Sequence, residues 1–124
     1  MGITGVRMFV RGTEPTTVEH VVDHFDHVKK LVGVEYLGVG SDIDLDGYDA
    51  MPADQRARLR AFYRNRAGAD TYGFREKDDI EGLNHPRRMY DLTDALLRRG
   101  YGADEVRGIL GENFLRVLRV IWGR

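Results

Sequence analysis

The 124-residue chain contains no cysteine. That excludes disulfides, thiolate zinc sites and cysteine nucleophiles, and it sets a reducing, cytoplasmic compartment as the expectation. Proline occurs only 3 times, and no low-complexity segment or internal repeat is visible. Neither sign of charge is in surplus, with 19 Lys and Arg against 20 Asp and Glu for a net charge of -1. Non-specific nucleic-acid binding needs a basic excess, so no nucleic-acid partner is expected. No apolar run approaches the roughly 20 residues that span a bilayer. The N-terminus has no basic-then-apolar signal pattern. Three common catalytic signatures are also missing: G-x-x-x-x-G-K, G-x-S-x-G and H-E-x-x-H. What remains is globular, at 42% hydrophobic and 31% charged. The length suits one domain and falls short of the about 250 residues of a complete (β/α)8 barrel.

The order of the chain predicts an α/β arrangement. Residues 3–10 are apolar and β-prone and predict a strand. Thr16 and Glu19 stand in a capping-box relation, which predicts a helix opening at Thr16. Val18, Val21, Val22, Phe25, Val28 and Val32 give that helix one apolar face, and Gly33 is its expected stop. Residues 34–39 predict a second strand. Strand, helix and strand with short connectors make a βαβ unit with two parallel neighbours, here residues 3–40. An acidic loop and insertion follow over residues 41–84, with a helix expected from Pro52 to Ala67. Residues 85–123 predict three helices. The first, over 86–99, is capped by Asn84 with Met89, Leu92 and Leu96 inward and Gly100 as stop. The second covers 103–110. The third, over 112–122, is expected to bury Phe114, Val117, Leu118 and Ile121.

Three constellations are candidates for chemistry. Gly40-Ser41-Asp42-Ile43-Asp44-Leu45-Asp46-Gly47 follows the second strand. In parallel α/β folds, ligands and catalytic groups collect at the C-terminal strand ends, and Asp42 is the first carboxylate to emerge there. The D-x-D-x-D-G spacing also matches the start of a calcium loop, which makes a small calcium-binding protein a weaker alternative. The twelfth loop position is Ala53 where a bidentate Glu is needed. A solvated acidic turn is the bland reading. His20, His24 and His27 lie along one helical flank beside Asp23. Their place on a crossover helix, away from the strand ends, favours packing over zinc binding. His85 precedes Pro86 as an isolated loop residue. Arg56, Arg58, Arg60, Arg64 and Arg66 carry Phe62 and Tyr63 among them, but the preceding acidic stretch favours a solvated, salt-bridged helix.

Several blocks in order resemble one family. Asp23-His24-Phe25-Asp26-His27-Val28 and Val32-Gly33-Val34-Glu35-Tyr36-Leu37-Gly38-Val39-Gly40-Ser41-Asp42-Ile43-Asp44 are similar to the D-H-[ILF]-D-H-[IV] and V-G-[IV]-G-S-D-F-D-G text of the membrane (renal) dipeptidases. Leu96-Leu97-Arg98-Arg99-Gly100-Tyr101 and Ile109-Leu110-Gly111-Glu112-Asn113-Phe114-Leu115-Arg116-Val117 resemble the family's L-L-R-R-G-Y and I-L-G-G-N-F-L-R-V. The resemblance implies a zinc metallopeptidase on a (β/α)8 barrel. Two zinc ions share a water there and polarise the carbonyl of a dipeptide. This chain would be the C-terminal portion, with strands 3–10 and 34–39 as the seventh and eighth. Asp42 would be the strand-end aspartate that orients the bridging water and handles its proton. The family's metal ligands are an N-terminal His-x-Asp pair, a bridging Glu and two His of middle strands. All would lie before this chain, so no metal ligand is assigned to it. The aspartate loop departs from the pattern at Ile43 and by the inserted Leu45-Asp46. The expectation is a single partial domain that is inactive without the N-terminal portion. Its alternative is a non-catalytic interaction module, or one half of a split enzyme docking to a partner. A homo-oligomer is a further expected assembly.

Overall fold

The structure, a computed structural model, describes residues 1–43, 51–67 and 80–123. Two short parallel strands, β1 (Gly2–Ile3) and β2 (Gly38–Val39), pair with Gly2 opposite Gly38 and Ile3 opposite Val39. The connection between them is α1 (Arg7–Val10), α2 (Val18–Val32) and a 3-10 turn (Val34–Tyr36). After β2 come α3 (Ala53–Ala67), α4 (Arg88–Arg98), α5 (Ala103–Arg107), a π-type kink (Gly108–Glu112) and α6 (Asn113–Trp122). The architecture is thus α/β, with two parallel strands and several helices.

The parallel pairing is as expected, but both strands are shorter than the apolar runs that announced them. The run over 3–10 stops being a strand at Thr4, whose Oγ1 accepts the Val6 N–H at 3.0 Å. That bond turns the chain into α1, where the buried Arg7 pairs with Glu14. The run over 34–39 begins as a 3-10 turn because the Leu37 N–H returns to Val34 O at 3.1 Å. Gly38 N–H then bonds Met1 O at 2.9 Å and Gly40 N–H bonds Ile3 O at 3.0 Å, which joins the strands.

α2 forms where its periodicity placed it, one residue later than its expected cap. Thr17 is the N-cap and shares a reciprocal box with His20, whose Nδ1 accepts the Thr17 N–H at 3.0 Å. Thr16 instead is buried, with its hydroxyl donating to Thr13 O at 3.2 Å. Val21, Val22, Phe25 and Val28 are buried, whereas Val32 is exposed beyond the last packed turn. Gly33 ends the helix at φ 101°, the positive-φ region that glycine enters without penalty. The core joins this face to Ile3, Leu37, Ile80, Leu83, Leu92, Ala95, Leu96, Tyr101, Val106 and Ile109.

The C-terminal helices differ most from expectation. α4 starts at Arg88 with Arg87 as N-cap, so Asn84, although buried, does not cap it. Leu92 and Leu96 do face the core, with Met89 packed against it. The helix over 103–110 ends at Arg107 and passes into the kink, where Gly111 leaves helical geometry. α6 carries no buried residue: Phe114, Val117 and Ile121 are exposed and Leu118 is half-buried. Its amphipathic pattern marks an apolar face, but the described residues leave most of that face uncovered.

α6 is nevertheless tied to the sheet. Asn113 Nδ2 donates to Val34 O at 2.9 Å and to Leu37 O at 2.8 Å. The Phe114 ring lies against the paired Gly2 and Gly38, and a Cβ built on Gly38 would sit 2.2 Å from its Cε2. Across the molecule, Arg99 Nη1 donates to Asp23 Oδ1 and Asp26 Oδ2, both at 2.7 Å, and its Nη2 donates to Glu19 Oε2 at 3.0 Å. Arg98 adds a second bond to Glu19, and the Tyr101 hydroxyl donates to Asp26 Oδ1 at 2.9 Å.

Candidate functional site

β2 delivers Asp42 to its C-terminal end, as the sequence order requires. The ladder continues past the strands, since the Gly5 N–H donates to Ser41 O at 2.8 Å. Asp42 then takes φ 54°, the only positive φ at a non-glycine residue among the described residues. Asp is among the side chains that tolerate this left-handed region, and such departures collect at functional sites. The carboxylate is exposed to solvent. Ile43 follows, its side chain over Gly5. Beside this turn lies a narrow cavity of about 20 Å³, room for about one water. Thr4, Ser41, Ile43, the buried Arg88, Phe25 and Leu92 are among the residues that line it.

The other two carboxylates of the D-x-D-x-D-G motif, Asp44 and Asp46, lie outside the described residues, as does the rest of the calcium-like segment through 50. Ala53, its twelfth position, is the first residue of α3.

The four histidines do not converge. His20 caps α2, and its Nε2 lies 2.6 Å from Arg11 Nη1. His24 Nε2 bonds Val10 O at 2.8 Å, which fastens α2 to α1. His27 is exposed. His85 pairs with Asp91 at 2.7 Å, and its Nδ1 accepts the Arg87 N–H at 3.2 Å. Among the described residues no group of three or more His, Cys, Asp or Glu is placed to hold a metal ion. The described residues do not fit a dinuclear zinc centre, because His20, His24 and His85 are engaged in separate local contacts and no three donors converge. Arg58, in the arginine-rich α3, is exposed and pairs with Asp54 at 3.7 Å, as a solvated helix would have it.

Among the described residues, the groups with shifted titration lie where α2 meets the C-terminal helices. Hydrogen bonds from Arg98 and then Arg99 hold the Glu19 carboxyl below its ordinary value. Asp23, Asp26 and Glu19 push the Arg99 guanidinium up. Burial, followed by its bond to Asp26, raises the Tyr101 phenol. Lys29, with the Gly102 N–H, lowers Glu105. Sequence reasoning missed Arg99, Tyr101 and Asn113, all of which act over more than seventy residues of chain.

Comparison with known proteins places these features in a family context. A family model for membrane dipeptidases, peptidase family M19, matches residues 1–61 and 67–122. Dipeptidase tcpJ of Claviceps purpurea (strain 20.1) is 31% identical over 108 residues, covering 87% of this chain and 18% of the relative. Dipeptidase 3 of Rattus norvegicus is 30% identical over 104 residues, covering 84% of this chain and 15% of the relative. The chain therefore spans less than a fifth of the length of these curated relatives. Among solved structures, an amidohydrolase from Pseudomonas aeruginosa superposes with a TM-score of 0.73 at 25% identity, covering 99% of this chain and 36% of that one.

Proposed function

Because the chain belongs to the membrane dipeptidase family, peptidase family M19, we propose that it is the C-terminal part of a (β/α)8 dipeptidase barrel. In this reading β1 and β2 are the last two strands and Asp42 is a catalytic carboxylate at their rim. The observation that carries it is the placement of Asp42, exposed in a left-handed turn directly after the parallel pair. A carboxylate there can accept a proton from a water attacking the scissile amide carbon and return it to the leaving amine as the C–N bond breaks. The family's zinc would polarise the carbonyl. Its ligands would come from a portion of the barrel outside these 124 residues, since no group of donors converges among the described residues here.

The experiment is hydrolysis of Gly-Leu and Ala-D-Ala, with zinc content, on the 124-residue chain alone and after mixing with the N-terminal portion of a family member. The expected result is no turnover and no stoichiometric zinc alone, and turnover on mixing that Asp42→Asn reduces at least about a hundredfold. Stoichiometric zinc with turnover by the chain alone sinks this reading. So does undiminished turnover of Asp42→Asn in the mixture.

The uncovered apolar face of α6 favours a second reading, a docking module whose partner supplies the remaining strands without chemistry at Asp42. Undiminished turnover of Asp42→Asn in the mixture favours this docking role, and a compact, stable monomer on size-exclusion chromatography counts against an obligate partner.

A further inference from the structure

The turn that presents Asp42 is held from the end of β1 by a single residue. Gly5 N–H donates to Ser41 O at 2.8 Å, which fixes the carbonyl just before Asp42. On the other side, a Cβ on Gly5 would lie 2.4 Å from Ile43 Cδ1, 3.1 Å from Ile43 Cγ1 and 3.2 Å from Ser41 O. Both chain neighbours of Asp42 therefore rest on the bare backbone of Gly5. Between these two supports Asp42 holds φ 54°, a left-handed conformation that costs most L-residues energy and that Asp enters more readily than most. β1 ends at this point because the Thr4 hydroxyl takes the Val6 N–H and starts α1. The Gly5 N–H is thus left to the Ser41 carbonyl.

We propose that Gly5 is a positioning residue for Asp42, setting the direction of the carboxylate through Ser41 and Ile43 without touching the reacting atoms. The proposal rests on the reading of Asp42 as the catalytic carboxylate. A side chain at position 5 displaces Ile43, and the turn then relaxes out of the left-handed region and swings the carboxylate off the strand end. Ile43 and Gly5 form a matched pair, so Ile43→Ala removes the two closest of the three contacts that a Cβ at position 5 would meet and leaves only the 3.2 Å approach to Ser41 O.

The test uses the 124-residue chain with Gly5→Ala and with Gly5→Ala/Ile43→Ala, followed by NMR. Amide exchange at residue 5 reads the bond to Ser41, and the one-bond Cα–Hα coupling of Asp42 reads the sign of its φ. Gly5→Ala should speed exchange at residue 5 about tenfold and move the Asp42 coupling off its left-handed value. The double variant should bring both back. The Val22 and Phe25 amides of α2 should stay as in the parent throughout, which a general loss of stability would not allow. Unchanged exchange and coupling in Gly5→Ala overturn the proposal, as does a double variant that restores neither. If Gly5→Ala alone does not fold, the double variant decides: it folds with a left-handed Asp42 or the proposal falls. Loss of the catalytic reading shows separately, as undiminished hydrolysis by Asp42→Asn in the mixed enzyme, and leaves these NMR results standing.

Discussion

Asn113 shows how much one amide can organise. Its two N–H bonds fall on Val34 O and Leu37 O, the carbonyls that bracket the 3-10 turn before β2. Gly108 leaves space for it, since a Cβ there would meet the Asn113 amide at 3.1 Å. Asn113→Asp replaces both donors with a carboxylate facing two carbonyl oxygens. We expect a loss of about 2–3 kcal/mol in urea unfolding, and about 1–2 kcal/mol for Asn113→Ala, which removes the bonds without the repulsion. Equal stability of the Asp variant and the parent would contradict this account. The sequence betrayed little of that role. Local spacing says where a helix begins, whereas these bonds reach back 79 and 76 residues. Asp42 was legible by contrast, because its place depends only on being the first carboxylate after a strand. Its positive φ and its dependence on Gly5 were not legible, since both arise from a second strand whose register the sequence does not print.

At the scale of elements, the crossover helix is clamped to the C-terminal helices by charge as well as by the core. Arg99 lies just past the end of α4 and gathers Glu19, Asp23 and Asp26 from three successive turns of α2. Arg99→Ala leaves those carboxylates facing one another. We expect a cost of about 1 kcal/mol or somewhat more, as for a partly exposed network, seen as a melting temperature lower by roughly 4 °C. The same network predicts a pH dependence. Glu19 and Glu105 titrate below 4.5 in the fold and near 4.5 when unfolded. The unfolded chain therefore binds more protons in that interval, and their contribution is complete above pH 4.5 and declines as pH falls through the lowered values. Tyr101 has the opposite sign. Its pKa is raised above 10.0, so its contribution holds below pH 10 and fades as pH rises further. Melting temperatures measured across pH should show both flanks, and Tyr101→Phe should flatten the alkaline one. Periodicity made α2 and α4 readable, and glycine placed their ends at Gly33 and Gly100, each with positive φ. It overstated the strands, because an apolar run does not reveal that Thr4 will cap Val6, and it could not foretell what α6 packs against.

For the whole molecule, the consequence of α6 is surface. Val120, Ile121 and Trp122 are 80%, 67% and 68% exposed, with Leu115 and Leu110 nearby in the chain also open. Large apolar side chains exposed together on one short helix are commonly covered in a soluble assembly. We expect sedimentation of the 124-residue chain to show concentration-dependent self-association, which Ile121→Lys weakens while leaving the melting temperature unchanged at dilutions where the chain is monomeric. A monomer at all concentrations, unaffected by that change, would mean the face needs no cover. Length was enough to show fewer residues than a complete barrel needs, and the order of the periodic segments to indicate α/β. They were silent on which face would stay open, because an amphipathic helix announces its preference and not its neighbour.

The meeting of Gly2, Gly38 and Phe114 carries one more consequence. Two paired strands give up their side-chain volume at the same rung, and a single ring from α6 takes it over. The distance between α6 and the sheet is therefore a sum over three positions rather than a property of any one of them. Growth at Gly38 must be matched by shrinkage at Phe114 or by a retreat of the helix, whereas a Cβ on Gly2 first meets the Gly40 backbone at 3.1 Å. A retreating helix takes Asn113 with it, and with Asn113 the turn that leads into β2. Size at the start of the strands is in this way linked, through one aromatic ring and one amide, to the strand whose far end bears Asp42.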